Sequence, residues 1–326
     1  MNDNQVKVLF QAGAGRSGST ILHSILGRVN GFVSVGELRH IWERGLVDNR
    51  LCGCGVPFRS CEFWQTVMQE AYGGFDGVDG AEMARQTESF RIHHLPSFLV
   101  PTIRAHWLSR LRSYLDNLTA LYQAIQKVTG CRVLVDSSKN PAYGYLVRAI
   151  PQIDFYELHF VRDSRAVAYS WTTVKAFQPD PADPDYMSVK SVFSSAMQWN
   201  ARNLTAEFLL PHSSPKHLTM RYEDFMREPQ ESLAKILRMV GEEGAQTPFV
   251  SPNAVNLGTP EHSVFGNLVR FQTGVVELRR DNRWRKQMKF TDKLLATAVT
   301  APLMLRYGYL MPEPLDLPRA PAAHSA

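Results

Sequence analysis

No apolar run in this chain of 326 residues approaches the roughly 20 residues needed to cross a bilayer, so a helical membrane span is not expected. Met1-Asn2-Asp3-Asn4 has no basic n-region and an apolar strand follows at once. A secretory leader is therefore not expected, and the cytoplasm is the expected compartment. Lysine and arginine form no dense tract over most of the chain despite a net charge of +5, so no nucleic-acid partner is expected. A small polyanionic ligand suits the scattered arginines better. Cysteine is scarce. Of four, three lie together in Cys52-Gly-Cys54-Gly-Val-Pro-Phe-Arg-Ser-Cys61, and neither C-x-x-C spacing nor an obvious fourth ligand accompanies them. A reduced structural loop is the first reading and a disulfide the second; no metal is expected. Internal repeats are also lacking.

With 44% hydrophobic and 21% charged residues, the rest reads as an ordinary globular protein long enough for a sizeable core. Strand and helix alternate. Strands are expected at 6–12, 32–35, 132–136, 154–161 and 218–222, with helices at 20–28, 81–93, 101–129, 141–150, 165–174, 188–209, 229–240 and 291–307. The segment 44–80 reads as loop-rich, 177–185 as a proline-rich loop and 244–275 as irregular. This alternation predicts one α/β domain over residues 1–311, a parallel sheet with helices on both faces, followed by a disordered tail at 312–326. Ligands of such sheets bind at the carboxyl ends of the strands.

The first strand runs into Gly13-Ala14-Gly15-Arg16-Ser17-Gly18-Ser19-Thr20 and a helix leaves it, an arrangement that aims backbone N–H groups at an anion. Gly13-x-Gly15-x-x-Gly18 spells the dinucleotide fingerprint, with Glu37 as the acidic residue beyond. Gly13-x-x-x-x-Gly18 also opens a Walker A loop, but Ser19 stands where its lysine belongs. An NAD(P) oxidoreductase, a P-loop kinase and a non-enzymatic nucleotide-binding module are therefore rival readings. The inner residues, one cation and three hydroxyls, suit an isolated terminal phosphate. A second anion site is legible at the end of another strand. Arg162 leaves it as a fork of donors, and Ser170, two helical turns on, adds a hydroxyl.

Arg16-Ser17-Gly18-Ser19-Thr20 resembles the 5′-phosphosulfate loop of sulfotransferases that use 3′-phosphoadenylyl sulfate (PAPS). Arg162 and Ser170 resemble that family's 3′-phosphate motif, and Tyr222-Glu223-Asp224 resembles its Tyr-Glu-Asp strand end. The region from His262 to Arg285 is similar to the carboxyl-terminal part of bacterial and carbohydrate-type members. The resemblance implies a P-loop-like three-layer fold and PAPS as sulfuryl donor with no metal required. It implies a donor site of Gly15, Arg16, Ser17, Gly18, Ser19, Thr20, Arg162, Ser170 and Tyr222, with Arg279 or Arg280 on the 3′-phosphate.

Gly36-Glu37-Leu38-Arg39-His40 resembles the glutamate-bearing segment of Golgi-type and bacterial members, which makes Glu37 the expected base and His40 its alternative. Lys139 is expected either to reach the sulfuryl or bridging oxygen, or to belong to a cap before Pro141 in which Ser138 or Asn140 does the capping. The implied acceptor is a small molecule, glycan or lipid, with a lean towards carbohydrate or glycolipid hydroxyls; peripheral membrane contact stays open.

Overall fold

The computed structural model describes residues 5–173 and 186–311; the expected loop at 177–185 and tail at 312–326 lie outside the described residues. Five parallel strands, β1 (Val6–Ala12), β2 (Phe32–Ser34), β3 (Val133–Lys139), β4 (Ile153–Val161) and β5 (His217–Arg221), form one sheet in the order β2-β3-β1-β4-β5. The helices are α1 (Ser19–Leu26), α2 (Glu62–Tyr72), α3 (Gly80–Ser89), α4 (Pro101–Arg110), α5 (Arg112–Thr129) and α6 (Pro141–Arg148), followed by α7 (Ser164–Trp171) and α8 (Val192–Ala206). After β5 come α9 (Tyr222–Arg227), α10 (Pro229–Val240), α11 (Arg283–Gln287) and α12 (Phe290–Arg306).

Side-chain alternation along β1 divides the core between the two faces of the sheet. Val6, Val8, Phe10 and Ala12 join one cluster with Leu118, Leu121 and Ile125 of α5 and Leu146 of α6. Leu9 joins the other with Leu22, Ile25 and Leu26 of α1 and Leu233, Ile236 and Leu237 of α10. Helix α10 shows how the sequence sets these elements. Pro229 opens it where a missing N–H costs nothing, the apolar residues recur three or four apart, and Gly241 ends it at φ 72°. The result is the expected three-layer, P-loop-like α/β architecture.

Three segments differ from expectation. The helix expected over 101–129 breaks at Leu111, because only α5 turns its apolar stripe into the core while α4 buries no residue. The loop-rich segment 44–80 contains α2, whose Trp64, Val67 and Met68 are buried at helical spacing, and a π-helical turn at Ile41–Val47 precedes it. From within 244–275, the strand β7 (Ala254–Asn256) pairs with β6 (Phe249–Ser251) on one side and β8 (Val275–Glu277) on the other in a small antiparallel sheet. Three-residue strands are too short to show a period of two in sequence. Among the described residues, no helix is long and apolar enough to cross a membrane.

Candidate active site

β1 sits between β3 and β4, so the chain departs to opposite sides of it and leaves a crevice at its carboxyl end. Every strand of the sheet delivers residues there. Gly15 to Thr20 follow β1, Glu37 to His40 follow β2, Lys139 ends β3, Arg162 follows β4 and Tyr222 follows β5. A cleft of about 450 Å³ opens among them. Gly15, Arg16, Gly18, Ser19, Thr20, Glu37, His40, Lys139, Arg162, Ser170 and Tyr222 all line it, so most of the residues singled out in the sequence meet at one place. Ser17 lies beneath the loop, 1% exposed.

The loop after β1 is shaped by two unusual backbone positions. Gly18 has φ 85°, and a Cβ there would stand 2.6 Å from the Tyr222 ring, so both conformation and space require glycine. Arg16 holds φ 68°, a region that costs a non-glycine residue about 1 kcal/mol or more. Its guanidinium stacks on Trp171 at 4.7 Å, and its three nitrogens are buried without a hydrogen-bond partner among the described residues. Burial pushes its pKa down to about 10, against the opposing pull of Glu37, so it stays charged at neutral pH. A buried, charged fork of unused donors beside the first-turn amides of α1 has the chemistry to receive an anion.

Arg162 is 7% exposed. Its Nη1 donates to the Arg16 carbonyl and its Nη2 to the Asp281 carbonyl, each at 3.1 Å, while the guanidinium lies over the Tyr222 ring at 4.4 Å. Ser170 lines the cleft from α7, where the eight-residue spacing predicted it. The Tyr222 hydroxyl accepts from the Asp281 amide at 3.2 Å. Glu223 faces away from the cleft, accepting from the Tyr309 hydroxyl at 2.7 Å and from the Asp163 amide at 3.2 Å, so its contacts are structural.

Arg279 and Arg280 are not among the residues lining the cleft; the lining arginine of this segment is Arg283. The Arg279 side chain is 78% exposed and pairs with Glu277. Arg283 holds Asp281 through its Nε at 2.9 Å and Nη2 at 3.0 Å. Those hydrogen bonds, with Arg162 adding to them, keep the Asp281 carboxyl far below the usual range.

Across the cleft, Lys139 Nζ donates to Glu37 Oε1 at 2.6 Å. Burial alone would raise the Glu37 pKa, but Lys139, His40 and Arg202 together outweigh it and hold the carboxyl below its ordinary 4.5. His40 Nε2 stands 3.9 Å from Glu37 Oε2, its ring against Phe265 at 4.8 Å. Asn140 caps α6, accepting from the Ala142 amide at 3.0 Å and the Tyr143 amide at 3.4 Å. With Asn140 as the cap, Lys139 is left to the cleft, held there at φ 60°. Ser138, also at the cleft, accepts from the Arg39 amide at 3.0 Å and hydrogen-bonds to Asp136 and does not cap the helix.

Sequence reasoning missed Arg39, Lys190, Arg202, Trp171 and Arg283, all of which line the cleft. Lys190 lies over the Trp171 ring at 3.9 Å, and burial, then Arg202 and Arg16, push its pKa down to about 8. Burial, then Arg39, also lowers that of Arg202. Seven cationic side chains thus face two carboxylates, Glu37 and Asp281, in one half-enclosed cleft, an excess that fits a polyanion.

The expectation of no metal rested on the absence of C-x-x-C spacing and of an obvious fourth ligand near the cysteines. The fold supplies one: the ligand atoms of Cys52, Cys54, Cys61 and His262 lie within 4.8 Å of one another, and all four cysteines are free thiols.

A parallel sheet in this order, with a glycine loop after its central strand and a basic crevice above it, defines a P-loop-like α/β transferase fold. The sulfotransferase family matches residues 9–246, well over half the chain, and the chain belongs to that family. The enzyme is a sulfotransferase. Among solved structures, the sulfotransferase domain of the Synechococcus PCC 7002 olefin synthase is similar at 17% identity and a TM-score of 0.51, over 92% of this chain and 95% of that one. The sulfotransferase domain of the curacin biosynthetic pathway is similar at 14% identity and a TM-score of 0.48, over 92% and 98%. No curated protein matches significantly.

Proposed function

We propose that this sulfotransferase moves a sulfuryl group from PAPS to an acceptor hydroxyl by in-line displacement, with Glu37 as the base. The observation that carries the donor is the pairing of two anion sites in one cleft: Arg16 with the loop amides, and Arg162 with Ser170. A ligand with separated 5′ and 3′ anions uses both; ATP and NAD lack the 3′-phosphate. PAPS would supply the sulfuryl group and a good leaving group.

The residues do the rest through position and charge. Glu37, held ionised by its neighbours, takes the acceptor's proton as the new oxygen–sulfur bond forms. Arg16 and Lys139 take up the negative charge that grows on the bridging oxygen as the old sulfur–oxygen bond breaks. The loose transition state of such transfers delays proton removal, which suits a weak base such as Glu37. Lys139 can serve only by turning part of its charge from Glu37 to the donor, and that same turn raises the basicity of Glu37. His40, 3.9 Å from Glu37, orients the carboxylate.

A glutamate base and the His262 to Asn267 segment favour a carbohydrate or glycolipid hydroxyl over a small phenol, and Phe265, Asn267 and Val269 offer the acceptor a wall of the cleft. The experiment is incubation with PAPS carrying labelled sulfur and a panel of glycans, glycolipids and phenols. Label on a carbohydrate hydroxyl is expected. Label on phenols alone would overturn the acceptor class, and no transfer with any nucleotide sulfate would overturn the donor.

A further inference from the structure

We infer that Cys52, Cys54, Cys61 and His262 bind one structural zinc ion, a site outside the transfer chemistry. Cys54 Sγ lies 3.7 Å from Cys61 Sγ, and His262 Nδ1 lies 3.2 Å from Cys61 Sγ and 3.8 Å from Cys52 Sγ. Tetrahedral zinc with sulfur arms of about 2.3 Å places its ligand atoms about 3.7 Å apart. Three thiolates and an imidazole are a soft donor set that suits zinc and not magnesium or calcium. Binding displaces the thiol protons to solvent.

The surroundings are built for such a centre. The amides of Cys54, Val56 and Trp64 donate to the sulfurs of Cys52, Cys54 and Cys61 respectively, as outer groups around metal thiolates do. The His262 ring stacks on Phe63 at 4.7 Å, and its main chain is held by the carbonyl, which accepts from Trp64 Nε1 at 3.1 Å. The two segments meet so closely that a Cβ on Gly53 would stand 2.4 Å from the Glu261 carbonyl. A zinc ion with three thiolates and a neutral imidazole carries a net negative charge. Arg270, 4% exposed, supplies a buried cation beside it while donating to the Ser263 carbonyl at 3.0 Å and the Leu51 carbonyl at 2.9 Å.

The ion would tie the 52–61 loop to the 262–267 strap. That strap reaches the cleft directly, since the Phe265 carbonyl accepts from the Glu37 amide at 3.3 Å. Zinc thereby holds a wall of the cleft in register with Glu37 without touching the reacting groups.

The test is metal analysis of the full chain, produced in zinc-supplemented medium without a metal-affinity tag and dialysed against a weak chelator. About one zinc per chain is expected in the wild type and less than about 0.1 in Cys61→Ser and His262→Ala, with Cys131→Ser, whose thiol is buried elsewhere, retaining it. Should the ligand variants fail to fold, cobalt exchanged into the wild type reads the same site through the intense visible bands of tetrahedral cobalt thiolate. A zinc-free folded wild type, a disulfide among Cys52, Cys54 and Cys61, a different resident metal, zinc content indifferent to His262→Ala, or the absence of those cobalt bands would overturn the assignment.

Discussion

Lys139 and Glu37 form an ion pair across the floor of the cleft, with Nζ 2.6 Å from Oε1 and both side chains largely buried at 9% and 13% exposure. The two come from the ends of neighbouring strands, and Lys139 adopts φ 60° to take part. A buried pair of this kind keeps the carboxylate charged before any ligand arrives.

Replacing the base isolates its part. Glu37→Gln is expected to lower kcat by about 10²- to 10⁴-fold while leaving nucleotide affinity within about threefold. Steady-state kinetics beside calorimetric titration check this, and unchanged kcat would remove Glu37 as the base.

The acid side of the rate profile follows from the same pair. The Glu37 pKa is depressed, so the carboxylate is present above its ordinary 4.5 and is lost only as pH falls through the lower folded value. The acid limb of kcat/KM is therefore expected below pH 4.5 in the free enzyme. An acid limb well above pH 4.5 that His40→Asn abolishes would transfer the role to the histidine.

Lys190 titrates on the other side of neutrality. Its folded pKa is about 8 against an ordinary 10.5, so folding leaves it partly neutral in that window and a bound anion restores its charge. Nucleotide binding at pH 8 to 9 is expected to take up protons, seen as a buffer-dependent heat in calorimetry. Lys190→Met should reduce the uptake.

The late basic segment separates two arginines. Arg283→Ala is expected to weaken binding of 3′-phosphoadenosine 5′-phosphate by about tenfold or more, since it lines the cleft and fixes Asp281. Arg279→Ala, at an exposed side chain paired to Glu277, should leave affinity within about twofold. The reverse ranking would return the contact to Arg279.

The loop geometry makes a stability prediction. Gly18→Ala sets a Cβ against Tyr222 at a positive φ and is expected to cost about 1 to 3 kcal/mol, with weaker nucleotide binding, as thermal unfolding with and without ligand would show.

The sheet and the loop of Gly13 to Thr20 were legible because long apolar strands and a glycine turn are local signals. Helix α10 was legible to its end residues because proline, stripe and glycine all lie between Pro229 and Gly241. Arg202 and Lys190 were not legible, since nothing near either one marks a residue that reaches the cleft from α8 or the segment before it. Beyond the family resemblance of its segment, nothing in the sequence around His262 marks it as a ligand. Its place beside the cysteines is a property of the fold, since Cys52 and His262 are separated by 210 in sequence number. Arg279 and Arg283 look alike in sequence; only the turn at Asp281, hydrogen-bonded to Tyr222, decides which one faces the cleft.

The most direct test of the account is whether the site needs both anions of the donor. Thermal unfolding is measured with 3′-phosphoadenosine 5′-phosphate, adenosine 5′-phosphate, ATP and NAD at equal concentration. A rise in Tm confined to the 3′,5′-bisphosphate, and lost in Arg162→Ala, is the expected result. Equal stabilisation by all four nucleotides, or stabilisation by ATP or NAD alone, would contradict it.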